Sequence, residues 1–213
     1  MKGEGGKEGE SKFRLELAAA ILLGFSAFAT SWIGYQSSRW DSEETQSIAK
    51  SNALRVESNR AAGQALIEQA VDVGLFTNWA NAYATGNTAL DSFYRDRFRG
   101  EFKPAFEAWI ASKPLGKPGS APTPFVMPEY KLAKRFASER LGDSAEAMMR
   151  DSRMQAKVKD RYFLNVLVFA MALFITGIYR EFSKGGIQFA LIILSAGLCL
   201  IGLIFVLSLP ILI

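Results

Sequence analysis

Side chains able to do chemistry are few in this chain, and their spacing argues against a reaction. Histidine is absent from the 213 residues, which removes the side chain whose ordinary pKa lies nearest neutrality as a proton carrier. The only thiol, Cys199, lies deep in an apolar run and can form neither a disulfide nor a thiolate metal cluster within one chain. Glu43 and Glu44 are the nearest carboxylate pair, but neighbouring positions on a helix point in different directions, which defeats paired acid–base work. Gly3, Gly5, Gly6 and Gly9 lack the preceding strand that a phosphate-cradling loop needs. Arg95, Arg97, Arg99 and Lys103 lie among aromatic residues and could meet lipid headgroups or an acidic ligand. Asp91, Asp96, Glu101 and Glu107 are interleaved with them, so a solvated, salt-bridged face is the stronger reading. A net charge of +4 spread along the chain does not argue for nucleic acid. The expectation is a protein that is not an enzyme, with no metal, no cofactor and no nucleic-acid partner.

What must position these residues is a membrane protein. Charged residues are missing between Leu17 and Tyr35, between Tyr162 and Tyr179, and between Ile187 and Ile213. A helix needs about 20 apolar residues to cross a bilayer, and three spans are predicted: 15–35, 162–179 and 187–209. Trp32 and Tyr35, and Tyr162 and Tyr179, stand at span ends, where amphipathic rings favour the interface. Lys2, Lys7, Lys12 and Arg14 in the 1–14 tail, and Arg180 and Lys184 in the 180–186 loop, place both segments in the cytoplasm by the positive-inside bias. Residues 36–161 and the 210–213 end then lie outside. Ala27-Phe28-Ala29 looks like a signal-peptidase site, but Glu4, Glu8 and Glu10 spoil the positive region that should precede it, and an uncleaved first span is expected.

Ala20, Gly24, Ala27 and Ser31 share one face of the first span, and small residues let helices approach closely in lipid. Asn165, with Thr176, Ser26 and Ser195, offers polar groups for bonds across helices or for lining a wet path, the former being the stronger reading. No ionisable residue lies at mid-membrane depth, which leaves a coupled transporter without its relay.

Outside the spans, Gln36 to Thr85 contains no proline, and the first helix is expected to continue to the turn signal Gly86-Asn87. Ile48, Asn52, Val56, Asn59, Gly63, Leu66, Ala70 and Val73 alternate steps of three and four, the pattern of a coiled-coil seam. It could serve a second chain or a neighbouring helix of its own. A second long helix is expected from Glu129 into span two. Between them, Phe76, Trp79, Tyr83, Phe93, Tyr94, Phe98, Phe102, Phe106 and Trp109 predict a small head with an aromatic core. Tyr94, Phe98 and Phe102 are expected on one helical face, and Pro104 suits the first turn of a short helix running through Ser112. Five of the seven prolines fall in 113–128, a segment expected to be extended rather than helical and anchored by Phe125, Val126 and Met127. The predicted fold is therefore an all-α membrane protein with three transmembrane helices, two of them extended into a helical stalk that carries the head.

Gly34-Tyr35-Gln36-Ser37-Ser38-Arg39-Trp40, Pro104-Ala105-Phe106-Glu107-Ala108-Trp109 and Pro122-Thr123-Pro124-Phe125-Val126-Met127-Pro128-Glu129-Tyr130 together carry a resemblance. From span one to span two the chain resembles bacterial inner-membrane proteins of unknown function that have one amino-terminal and two carboxy-terminal spans. The resemblance implies a bacterial inner-membrane setting and no catalytic residue. Two functions fit this reading: a homo-oligomeric scaffold or pore whose helices pair across copies in lipid, and a sensor or adaptor whose head binds a membrane or periplasmic partner.

Overall fold

The computed structural model describes residues 4–112 and 121–212. Five α-helices follow in order: α1, Glu4–Ala84; α2, Thr88–Arg97; α3, Lys103–Ala111; α4, Ala133–Ile178; and α5, Gly185–Leu207. There is no strand among the described residues. Three helices contain stretches long and apolar enough to cross a membrane, in α1, α4 and α5, and the chain is a multi-pass, all-α membrane protein in architecture. Of the 1–14 tail, residues from Glu4 onward already belong to α1.

The chain divides into two compact units, 1–49 with 148–213, and 50–147. In the first unit α1 buries Ala19, Ser26, Ile33, Gln36 and Ser47, with Leu22, Ala29 and Trp40 partly covered. These positions recur in steps of three and four, the spacing that keeps one stripe of a helix facing a neighbour. Against it lie Tyr162, Phe169 and Ala172 of α4 and Cys199 of α5, the heart of one apolar cluster. Hydroxyls bridge the helices: Ser26 Oγ is 3.1 Å from Cys199 Sγ, Thr176 and Ser195 bond each other, and Ser195 donates to the carbonyl of Ala172 at 2.9 Å. Asn165, expected to bond across helices, instead donates to the carbonyl of Arg161 on its own helix at 3.1 Å. One turn of helix returns it to a carbonyl that a short side chain reaches without help from a neighbour. α5 packs tightly on α4 at Gly202, since a Cβ there would stand 2.6 Å from the Phe169 ring.

In the second unit α1 and α4 run antiparallel along a seam of small residues. Ser51 donates to the carbonyl of Ala145 at 2.8 Å, and seven residues on, Ser58 donates to the carbonyl of Ser138 at 2.8 Å. Ala61 and Ala65 are buried on the same stripe. Serine and alanine allow this closeness because nothing larger than a methyl or hydroxyl separates the backbones, and each hydroxyl finds an acceptor.

α1 ends where the turn signal predicts. Gly86 adopts φ +70°, which a side chain would resist, and Asn87 caps α2 by accepting the Leu90 N–H at 3.1 Å. α3 carries Pro104 in its first turn, as expected, and ends at Ala111 with Ser112 as its cap. The second long helix starts at Ala133, not Glu129, because Pro128 and the turn closed by Tyr130 N–H on the Met127 carbonyl occupy the intervening residues. Of the proline-rich segment, 113–120 lies outside the described residues. The remainder holds a single 3-10 turn, Pro124–Val126, where a wholly extended course was expected. A proline at its start is compatible with that turn because the missing N–H would have had no partner.

Candidate functional site

The head of the second unit is an aromatic core. Trp79, Phe98, Phe102, Phe106 and Trp109 are buried in one cluster, with Phe76, Tyr94, Phe125, Met127 and Tyr130 packed on it. Trp79 and Phe106 meet edge to face with centroids 4.7 Å apart, and Phe98 meets Phe102 in the same manner at 4.9 Å. Such pairs add to area burial because ring edges and faces carry opposite partial charge. Tyr83 and Phe93 are the exceptions among the expected aromatic residues: Tyr83 stacks on Trp79 but is 52 % exposed, and Phe93 is 43 % exposed. The expected shared face of Tyr94, Phe98 and Phe102 is not realised, because α2 ends at Arg97 and Phe98 to Phe102 form the bend into α3. The three side chains still converge, brought together by tertiary packing. Val126 remains exposed, whereas Phe125 stacks on Phe102 at 5.1 Å and Met127 packs on the same cluster, so Phe125 and Met127 form the anchor.

Beside this core sits a partly buried polar cluster around the fully buried Asp72. Arg99 faces three carboxylates: Nη1 reaches Asp72 Oδ2 at 2.9 Å, and Nη2 reaches Glu101 Oε2 at 2.8 Å and Glu68 Oε2 at 3.0 Å. The Tyr130 hydroxyl donates to Asp72 Oδ2 at 3.1 Å, and Glu101 accepts the Ala133 N–H at the start of α4. The Asp72 side chain is 0 % exposed, and its Oδ1 has no hydrogen-bond partner among the described residues. Burial pushes the Asp72 carboxyl above the ordinary carboxylate range, even though Arg99 and the Tyr130 hydroxyl pull it down. The same burial, together with the Asp72 charge, raises the Tyr130 phenol. Arg99 is therefore half-buried rather than on an open solvated face, while it is salt-bridged as expected, with the interleaved Glu101 among its partners. Arg95 bonds Asp91 at 3.1 Å, and Arg97 covers the Phe93 ring at 3.5 Å. Among the described residues no group of His, Cys, Asp or Glu is arranged to hold a metal ion.

The first unit holds a second polar constellation, which spacing in the sequence did not reveal. Gln36 is fully buried and pairs with the backbone of Leu212 in both directions, its Nε2 donating to the carbonyl and its Oε1 accepting the N–H, each at 3.0 Å. Trp40 Nε1 and the Tyr162 hydroxyl both donate to the carbonyl of Pro210, at 3.2 and 3.1 Å. Three side chains thus hold the segment after α5, whose own carbonyls have left the helical ladder. Nearby, Lys159 pairs with Glu44 at 2.6 Å and Asp41 at 3.2 Å, hydrogen bonds that raise its ammonium pKa. At the other end of the spans Arg180 meets Glu16 at 3.0 Å.

The residues expected to pack against another helix face away from their own chain. Ala20, Gly24, Ala27 and Ser31 are all exposed, on the side of α1 opposite Ala19, Ser26 and Ile33. In the second unit the internal stripe is Ser51, Leu54, Ser58, Ala61, Ala65, Glu68 and Asp72, not the anticipated seam. Asn52, Val56, Asn59, Leu66, Ala70 and Val73 are exposed, and Ile48 and Gly63 are half-buried. With about 100° between successive residues, this second stripe lies on roughly the opposite side of the helix. Leu66 is 64 % exposed, Val56 63 % and the adjoining Ile67 67 %. No family model, curated protein or solved structure matches the chain.

Proposed function

We propose that the chain is a non-enzymatic, homo-oligomeric scaffold of the bacterial inner membrane, oriented with its N-terminus and the 180–186 loop in the cytoplasm and residues 36–161 in the periplasm. The observation that carries this reading is the outward apolar stripe of α1 in the second unit. Val56, Leu66, Ile67, Val71 and Val73 stand exposed on a helix whose opposite side is already packed. Isolated exposed apolar residues need no explanation, but Val56, Leu66 and Val73 recur on one three-and-four register, with Asn59, Gly63 and Ala70 between them and Ile67 and Val71 beside it, which is the pattern of a weak helix-pairing seam. The segment is too rich in charge to be bathed in lipid, and a second copy offers an identical stripe. The small-residue stripe at Ala20, Gly24, Ala27 and Ser31 supports the same contact within the bilayer. Enclosing a pore is a stronger form of the proposal, since three spans enclose little by themselves.

Cysteines at Leu66 and at Glu57, an exposed residue off the stripe, test it in native membranes. Chain-to-chain disulfides at Leu66 well above those at Glu57 are expected. Equal and low yields would overturn the reading. A second reading, a periplasmic sensor or adaptor serving a separate partner, draws on Asp72. A buried carboxylate with an unpartnered oxygen holds an electrostatic cost that a change of pH at the head relieves. In vivo crosslinking through the head that captures a protein other than this chain favours it.

A further inference from the structure

A cavity of about 440 Å³ opens between α4 and α5, lined by Arg161, Leu164, Asn165, Val168, Phe205, Ser208 and Leu209. Its volume falls in the range of small-molecule sites, and its walls are mainly hydrocarbon. Arg161 is the last charged residue before the apolar run of span two, and Leu209 and Ser208 close the third span. The mouth therefore lies at the boundary between headgroups and hydrocarbon, and the groove continues into the acyl region. Lys159, two residues earlier, is neutralised by Glu44 and Asp41. Arg161 has no acidic partner among the described residues, and its side chain is exposed.

We propose that this groove is a binding site for an acidic phospholipid of the leaflet beside the 36–161 segment. The phosphate pairs with the Arg161 guanidinium, whose planar fork suits two phosphate oxygens. One acyl chain lies against Leu164, Val168 and Phe205. Charge and shape together select the occupant: a zwitterionic lipid fills the apolar groove but brings its own cation to compete with Arg161, and a soluble phosphate leaves the walls wet. The inference rests on the membrane-spanning architecture and is independent of self-association.

The full chain, delipidated in a neutral detergent, is titrated with phosphatidylglycerol, phosphatidylcholine and glycerol phosphate, and binding is read by native mass spectrometry. Phosphatidylglycerol is expected to bind about fivefold more tightly than phosphatidylcholine, the worth of one arginine at an anionic surface, with glycerol phosphate not competing. Arg161→Gln should erase that preference and Arg161→Lys should restore most of it. Arg161 makes no side-chain bond that folding needs, so both variants should fold, and unchanged thermal stability without lipid checks this. Val168→Trp, which fills the groove, should weaken both lipids. A preference that survives Arg161→Gln, lipid binding indifferent to Val168→Trp, or competition by glycerol phosphate alone would each overturn the proposal. So would an efficient chain-to-chain disulfide at a cysteine replacing Phe205, because a second copy would then occupy the groove.

Discussion

Replacing Arg99 by glutamine removes the only cation among the described residues within ion-pair distance of the fully buried Asp72. Three carboxylates would then share a pocket in which the Tyr130 hydroxyl alone still donates to Asp72. Removing one member of a buried ion pair costs about 3–5 kcal/mol, because the remaining charge keeps its desolvation penalty without compensation. Glu68 and Glu101 retain some solvent contact and add less. Asp72 can escape by taking up a proton, and this sets the pH dependence. Its pKa is already raised in the folded protein, so the native state holds the proton more tightly than the unfolded chain. Stability is greatest below the unfolded carboxylate value and declines as pH rises through the folded value. Without Arg99 the folded pKa rises further and the window widens. The penalty should shrink by about 1.4 kcal/mol for each unit of acidification until the wild-type Asp72 also protonates. Hydrogen exchange of the peptides covering 72–110, in lipid discs and referred to the intrinsic rate at each pH, reads this directly. Protection is expected to fall roughly 10²- to 5 × 10³-fold at pH 8, less at pH 5, and to recover by more than half when Asp72→Asn is added. A loss equal at both pH values, or no recovery in the double variant, would refute the reasoning.

Other substitutions separate the packing claims. Gly142 and Gly202 both sit on helix contacts, but a Cβ at Gly142 would lie 3.6 Å from Ser58 Oγ while one at Gly202 would collide with Phe169. Gly142→Ala should therefore leave stability unchanged or raise it by up to about 1 kcal/mol, and Gly202→Ala should lower it by about 1–3 kcal/mol, as measured by thermal aggregation in detergent. Gln36→Leu leaves both Leu212 backbone groups unpaired, a cost of about 2–4 kcal/mol; faster exchange or proteolysis confined to 208–213 is the expected sign. Ser51→Leu places a bulky side chain where a hydroxyl reaches the Ala145 carbonyl, and should open exchange on both α1 and α4 across 50–58 and 138–147. Loss limited to α1 would contradict the antiparallel seam.

The spans, the turn at Gly86 and the start of α3 at Pro104 were legible in the sequence because each depends on local properties: apolar length, a positive φ, a missing N–H. Which side of α1 pairs with α4 was not legible. The internal stripe is written in serine and alanine, which carry little hydrophobic signal, while the louder stripe from Ile48 to Val73 faces outward. Arg99 looked solvated because its local neighbours alternate in sign, and Asp72 and Glu68, the partners that draw it inward, lie far away in sequence on α1. Gln36 gave no signal beyond its type, since its role depends on a tail 176 residues away. The aromatic head was read correctly as a composition, but the bend at 98–102 broke the single helical face expected there.

The most direct test of self-association is the mass of the particle extracted in native lipid discs without detergent. One chain weighs 23.5 kDa. A protein mass at two or more multiples of that value, lost when Leu66, Ile67 and Val73 are replaced by glutamate, is the predicted result; a single chain per particle across the accessible concentration range would contradict it.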